Sequence, residues 1–151
     1  MIALFEGRAT AARYRSLLQS CADANFVIFR INGDANYMKD VFYDIADELG
    51  ILLHHEIMLS DTDYTPAVLA SQASSDPLSF LPNVRAEVKH QVRRLAHHPS
   101  VAMWVGNNEI GSGPYSASNR TAWYSLFIDH VMDAVIANDV SRPIWPSSAS
   151  G

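Results

Sequence analysis

His97-His98-Pro99-Ser100-Val101-Ala102-Met103-Trp104-Val105-Gly106-Asn107-Asn108-Glu109 opens on a turn and closes on a carboxylate. Pro99 cannot extend a preceding helix, and it steers His98 towards extended backbone. Val101 to Val105 is apolar throughout, with no polar face. Such a run suits a strand buried on both sides, as in a parallel sheet covered by helices. The polarity then flips at once to Gly106-Asn107-Asn108-Glu109. A carboxylate and two amides at the carboxyl end of a buried parallel strand stand where α/β enzymes place their chemistry. The pattern alone leaves a second reading open, in which Asn107 and Asn108 make a turn and Glu109 starts the next helix.

Working outward, the same alternation recurs. Thr10 caps a helix running to about Ala22, with Tyr14, Leu17, Leu18 and Cys21 as one apolar stripe. Asp23-Ala24-Asn25 ends it, and Phe26 to Phe29 reads as a buried strand followed by the polar loop Arg30-Ile31-Asn32-Gly33-Asp34. A second helix spans roughly Lys39 to Leu49, with Val41, Phe42, Ile45 and Leu49 inward, and Gly50 stops it. Ile51 to Ile57 is the next strand. Residues 60 to 82 form a connection long enough to read as a functional loop. A third helix begins at Asn83, with Val84, Val88, Val92 and Leu95 on one face. Beyond the opening stretch come a polar loop, Gly111 to Asn119, and a fourth helix, Thr121 to Ala137. Its apolar positions are Phe127, Ile128, Val131, Met132 and Val135. Arg142 to Pro146 is a last short strand. The order α-β-α-β-α-β-α-β argues for a parallel sheet with covering helices. It does not separate an open doubly wound sheet from part of a (β/α)8 barrel, which needs ~250 residues.

The 151 residues suffice for one ordinary domain, and 48% hydrophobic with 18% charged residues reads as globular. A net charge of −5, from 11 basic and 16 acidic residues, gives no support for nucleic-acid binding. The basic residues Arg85, Lys89, Arg93 and Arg94 fall at helical spacing and read as a solvated helix face. The single cysteine, Cys21, excludes an intrachain disulfide and reads as a buried, inert thiol. No apolar run approaches the ~18 residues that span a membrane. Met1 to Phe5 is too short for a signal peptide.

His98-Pro99-Ser100, the apolar strand and Trp104-Val105-Gly106-Asn107-Asn108-Glu109 resemble the acid/base signature of the β-mannosidases. These are retaining enzymes of glycoside hydrolase family 2, which also holds β-galactosidase and β-glucuronidase. Three further stretches are similar to the same family: Leu17 to Asn25, Phe42 to Ile51, and Arg142-Pro143-Ile144-Trp145-Pro146-Ser147-Ser148. The resemblance implies a TIM-barrel glycosidase fold, with residues 1–151 as about half of the catalytic barrel and no second domain. The first strand, the last three strands, the flanking β-sandwich domains and the nucleophile Glu of the seventh strand would lie elsewhere. It implies Glu109 as general acid/base and Asn108 as the amide that holds the sugar near its 2-hydroxyl. It implies no cofactor or metal, a glycan with terminal, non-reducing β-linked mannose as substrate, and a lysosomal or secreted setting. Two alternatives accompany it: a catalytically incomplete fragment of such an enzyme, inactive alone, or a relative acting on another β-glycoside.

Retaining glycosidases need two carboxylates ~5–5.5 Å apart. Glu56, at the end of the neighbouring strand, is the carboxylate placed to stand near Glu109, and a supporting or sugar-contact role is expected of it rather than nucleophilic attack. Arg30 persists from the family pattern and is expected to contact the site, whereas Asn32 replaces the sugar-stacking Trp. His54-His55-Glu56 replaces Trp-Gln-Asp or Trp-Gln-Glu. Adjacent strand residues face opposite ways, so His54 and His55 cannot share one metal ion. Gly106, Gly111 and Gly113 are spaced G-x4-G-x-G, which fits neither nucleotide-loop pattern, and the loop holds no lysine.

Overall fold

Thr10 starts the first helix as the composition requires: in extended backbone, its hydroxyl accepts from Arg13 N–H. In the computed structural model, which describes Gly7 and residues 9–60, 80–110 and 125–148, the helices are α1 (Ala11–Asp23), α2 (Asp40–Leu49), α3 (Phe80–Leu95) and α4 (Asp133–Ile136). The strands are β1 (Ile28–Ile31), β2 (Leu52–Glu56), β3 (Val101–Val105) and β4 (Ile144–Trp145). A π-helical segment, Ser125–Met132, leads directly into α4. Residues 61–79 of the loop expected over 60–82, the loop expected over 111–119, and the first turn of the expected fourth helix lie outside the described residues.

All four strands are parallel and lie in the order β1-β2-β3-β4. Each crossover therefore moves one strand further in the same direction. A doubly wound sheet reverses at a switch point, and no reversal occurs among the described strands. The sheet is singly wound, as one wall of a (β/α)8 barrel is.

The helix-facing side of the sheet carries the core. Leu53, His55, Val101 and Trp104 are buried there with Phe42, Tyr43 and Ile45 of α2 and Val88, Val92 and Leu95 of α3. Phe42 meets Tyr14 of α1 and Phe29 of β1 edge-on. Two carboxylates tie the strands to their surroundings. Asp47 accepts from Ser100 N–H at 2.8 Å and pairs with the His98 ring at 2.7 Å. Asp139 accepts from Trp104 Nε1 at 2.9 Å and pairs with Arg142. Burial works to raise both carboxyls, but bonds from Ser100 and His98, and from Ser141 and Trp104, outweigh it and hold both below the ordinary value.

Several elements depart from the sequence reading. β1 begins two residues late, and Phe26, Val27 and Ile28 are exposed rather than buried. Asn25 takes the left-handed conformation that closes α1, and Phe26 N–H still bonds back to Cys21 O, so Phe26 finishes the helix, while Val27 O already accepts from Leu52 N–H of β2. β1 also has a neighbour on only one side among the described strands. Cys21 is half-buried. α3 starts at Phe80 rather than Asn83 because Pro82 sits in its first turn, where no N–H is needed. The basic face of α3 is not simply solvated: Arg85 pairs with Asp133, Arg94 with Asp40, and Arg93 bonds Asn138. The π winding moves the buried face of its segment to Leu126, Phe127 and Val131, leaving Ile128 and Met132 half-buried.

Candidate active site at the strand ends

Parallel strands present their last residues, and the loops that follow, on one rim, which is where barrel enzymes keep their reactive groups. On this rim β1 contributes Arg30, β2 contributes Glu56, and the turn after β3 contributes Asn107, Asn108 and Glu109. Side chains alternate along a strand. Thus His55 turns to the helices, where it stacks between Tyr37 and Tyr43, while Glu56 turns to the other face and meets Arg30.

Glu56 is completely buried, and both its oxygens are engaged. Oε1 accepts from Arg30 Nε at 2.8 Å, and Oε2 accepts from Gly33 N–H at 2.7 Å. Gly33 is required for that approach: a Cβ there would stand 2.7 Å from Ile57 O and 3.1 Å from Asn108 Cβ. Arg30 in turn donates through Nη2 to Asn108 Oδ1 at 2.5 Å. Asn108 donates through Nδ2 to Ser60 Oγ at 2.8 Å, and its own N–H bonds Leu59 O. The amide of Asn108 is therefore fixed in orientation from both ends, and only 3% of the residue is exposed.

Glu109 is exposed and lies in the left-handed region at φ 55°. A non-glycine residue held there stores on the order of 1–3 kcal/mol, which the surroundings must supply. Its N–H bonds Ser148 Oγ at 3.0 Å, beyond β4. The candidate residues Arg30, Glu56 and Asn108 are thus joined in one hydrogen-bonded chain, with Glu109 next in sequence. Asn107 and Ser147 also belong to this rim; the sequence placed Asn107 at the strand end and Ser147 in a family-like stretch but gave neither a role.

His55 is neutral. Burial, above all, pushes its pKa down to about 3. Nδ1 faces the Glu56 carbonyl at 2.9 Å, so Nδ1 carries the hydrogen and Nε2 accepts from Tyr43 O–H at 2.8 Å. The ring lies behind Glu56 as packing for the strand. Among the described residues no group of three or more His, Cys, Asp or Glu side chains is placed to hold a metal ion.

Comparison with known proteins shows the family. The family model described as "Glycosyl hydrolases family 2, TIM barrel domain" matches residues 35–148. The β-mannosidase of Bos taurus is 34% identical over 95% of the chain, and β-mannosidase A of Neosartorya fischeri is 35% identical over 97%. The chain spans 16% of the length of each of these curated relatives. Among solved structures, the β-D-mannosidase of Dictyoglomus thermophilum superposes with a TM-score of 0.79 at 29% identity, covering 93% of this chain and 17% of that one. The exo-chitosanase of Amycolatopsis orientalis shares the fold at a TM-score of 0.62 and 22% identity, over 92% of this chain and 15% of its own.

Proposed function

Since the chain belongs to the TIM-barrel domain family of the family 2 glycosyl hydrolases, we propose that it forms the acid/base side of the active site of a retaining β-mannosidase. In this reading residues 1–151 are part of one catalytic barrel, and the substrate is a glycan with a terminal, non-reducing β-linked mannose. The observation that supports it best is the convergence of Arg30, Glu56 and Asn108, with Glu109 beside them, at the ends of three successive parallel strands.

Each residue has a task. Glu109 gives a proton to the departing glycosidic oxygen, then takes one from the water that completes hydrolysis. Asn108 has one amide hydrogen beyond its bond to Ser60, and it offers this to a sugar hydroxyl near the anomeric carbon. Arg30 keeps further N–H donors, and 42% of its side chain is exposed to meet a sugar. Glu56 contributes by holding Arg30. This reading gives fully buried Glu56 a supporting role rather than that of nucleophile, which it assigns to a second Glu outside this chain.

Glu109→Gln in the full-length protein tests the assignment. General acid–base assistance is worth roughly 10²–10⁴-fold in rate, and a poor leaving group needs it most. The variant should lose that factor on alkyl β-mannosides yet keep the first step on dinitrophenyl β-mannoside, giving a phenolate burst and then a slow steady rate. Azide, which attacks without base help, should accelerate the steady rate and form a mannosyl azide. Equal loss on both substrates, no burst and indifference to azide would remove Glu109 from the role.

A further inference from the structure

The left-handed backbone of Glu109 does not hold itself in place, and part of what holds it comes from the segment after β4. Asn107 and Ser147 are both fully buried. Asn107 Nδ2 donates to Pro146 O at 3.0 Å, while its Oδ1 accepts from Ile110 N–H at 2.9 Å and from the Ser147 hydroxyl at 2.8 Å. The Ser147 oxygen also lies 3.1 Å from Ile110 O, so its one hydrogen is shared between two carbonyl-type acceptors. The backbones repeat the link: Ser148 N–H bonds Asn107 O at 3.2 Å, and Gly106 N–H bonds Trp145 O at 2.8 Å. Gly106 has no room for a side chain, since a Cβ would lie 2.3 Å from Pro146 O.

An asparagine that merely caps a turn uses its oxygen locally and leaves its nitrogen to water. Asn107 spends both ends, and the nitrogen crosses to the segment after β4. Of the two amide hydrogens that bracket Glu109, one is anchored outside the β3 turn, Glu109 N–H on Ser148, and the other within it, Ile110 N–H on Asn107, whose side chain is itself tied to Pro146 and Ser147. With both adjoining peptide planes fixed, φ at Glu109 cannot relax to the right-handed region, and the direction of its Cα–Cβ bond is set.

We propose that Asn107 and Ser147 are positioning residues for Glu109: together they staple the turn after β3 to the exit of β4 and so determine where the Glu109 carboxylate stands. The catalytic consequence rests on the acid/base reading above; the staple itself does not. A carboxylate displaced by about 1 Å can cost on the order of 100-fold in rate.

The test uses the full-length protein with Asn107→Ala and the milder Ser147→Ala, which removes one hydroxyl and leaves the amide. Amide hydrogen exchange is followed at Glu109 and Ile110, with β3 amides as reference. In parallel, kcat and KM are measured on an alkyl and a dinitrophenyl β-mannoside. The expected result is exchange about tenfold faster at Glu109 and Ile110 with β3 unchanged. On the alkyl mannoside kcat should fall by roughly 10- to 100-fold at nearly constant KM, with the burst on the activated substrate preserved. Unchanged exchange at both amides in both variants would overturn the staple. So would a rate loss equal on the two substrates that merely follows a lower melting temperature. A Glu109→Gln control without leaving-group dependence would instead sink the acid/base reading, and the exchange rates would then decide the staple by themselves.

Discussion

Arg30 is partly exposed and its partner Glu56 is wholly buried, so the two halves of this pair are unequal under mutation. Arg30→Met would leave a carboxylate inside the protein with only the Gly33 N–H for company, and an uncompensated buried charge costs roughly 3–5 kcal/mol. Glu56→Gln keeps the shape and removes the charge, while Arg30 can turn to water; its cost should be nearer 1 kcal/mol. Urea unfolding of the two variants gives that order, and the reverse order would show that the pair is not held as described. A second expectation concerns pH. Burial depresses the His55 pKa to about 3, so from about pH 6.5 downwards the unfolded chain takes up a proton there and the native chain does not. Stability is whole above that window and falls by up to about 1.4 kcal/mol per pH unit inside it. Asp47 and Asp139, held below their ordinary values, contribute stability that is lost only at lower pH, as the carboxylates themselves protonate. The signs agree, and acid destabilises. Unfolding free energies at about pH 7.5 and about pH 5 should differ accordingly, and His55→Gln should flatten the difference; a variant with the wild-type slope would count against it.

Where an element was legible from sequence, one residue fixed each end. β3 runs from Val101 to Val105 because Pro99 and Gly106 bracket five apolar residues, and α2 stops where Gly50 takes φ 67°. The misread boundaries have a common cause: side chains that suit two conformations. Phe26 looks like strand but is used to close α1, and Pro82 looks like a break but is neutral in a first turn. The π winding of Ser125–Met132 leaves no mark in composition, since it changes which N–H meets which C=O. Glu56, Asn108 and Glu109 could be placed at strand ends, while Arg30 and the roles of Asn108 and Glu109 came from the family resemblance. Their connections could not, because Arg30 and Asn108 are 78 residues apart and no local pattern encodes that meeting. The link between Asn107 and Ser147, 40 residues apart, was hidden for the same reason. The contact between the exits of β3 and β4 gives an element-level prediction. Gly106→Ala must drive Pro146 away, at a cost of about 3 kcal/mol. Gly50→Ala has nothing within 4 Å of the new carbon and bears only left-handed strain, about 1 kcal/mol. Thermal melts that rank these two the other way would mean the β3 and β4 exits are not packed together.

As a whole the described sheet has two edges, β1 and β4. Phe26, Val27 and Ile28 beside one edge are 62%, 68% and 50% exposed, and Trp145 in the other is 49% exposed. Unpaired strand edges with apolar side chains template association. The 151-residue chain by itself is therefore expected to run as oligomer or aggregate in size-exclusion chromatography. A sharp monomer peak with a cooperative melt would contradict that. The same strand order bears on how the chain is made. Every strand pairs with the one before it, so no strand has to be inserted between two that have already paired. A chain leaving the ribosome amino-terminus first can dock β2 on β1, then β3 on β2, then β4 on β3, burying each helix as it arrives. Arg30 and Glu56 meet at the first of these steps and Asn108 joins at the second, whereas Glu109 acquires its anchor on Ser148 only at the last. Among the described rim residues, the one proposed to do the chemistry is thus anchored after Arg30, Glu56 and Asn108 have already met.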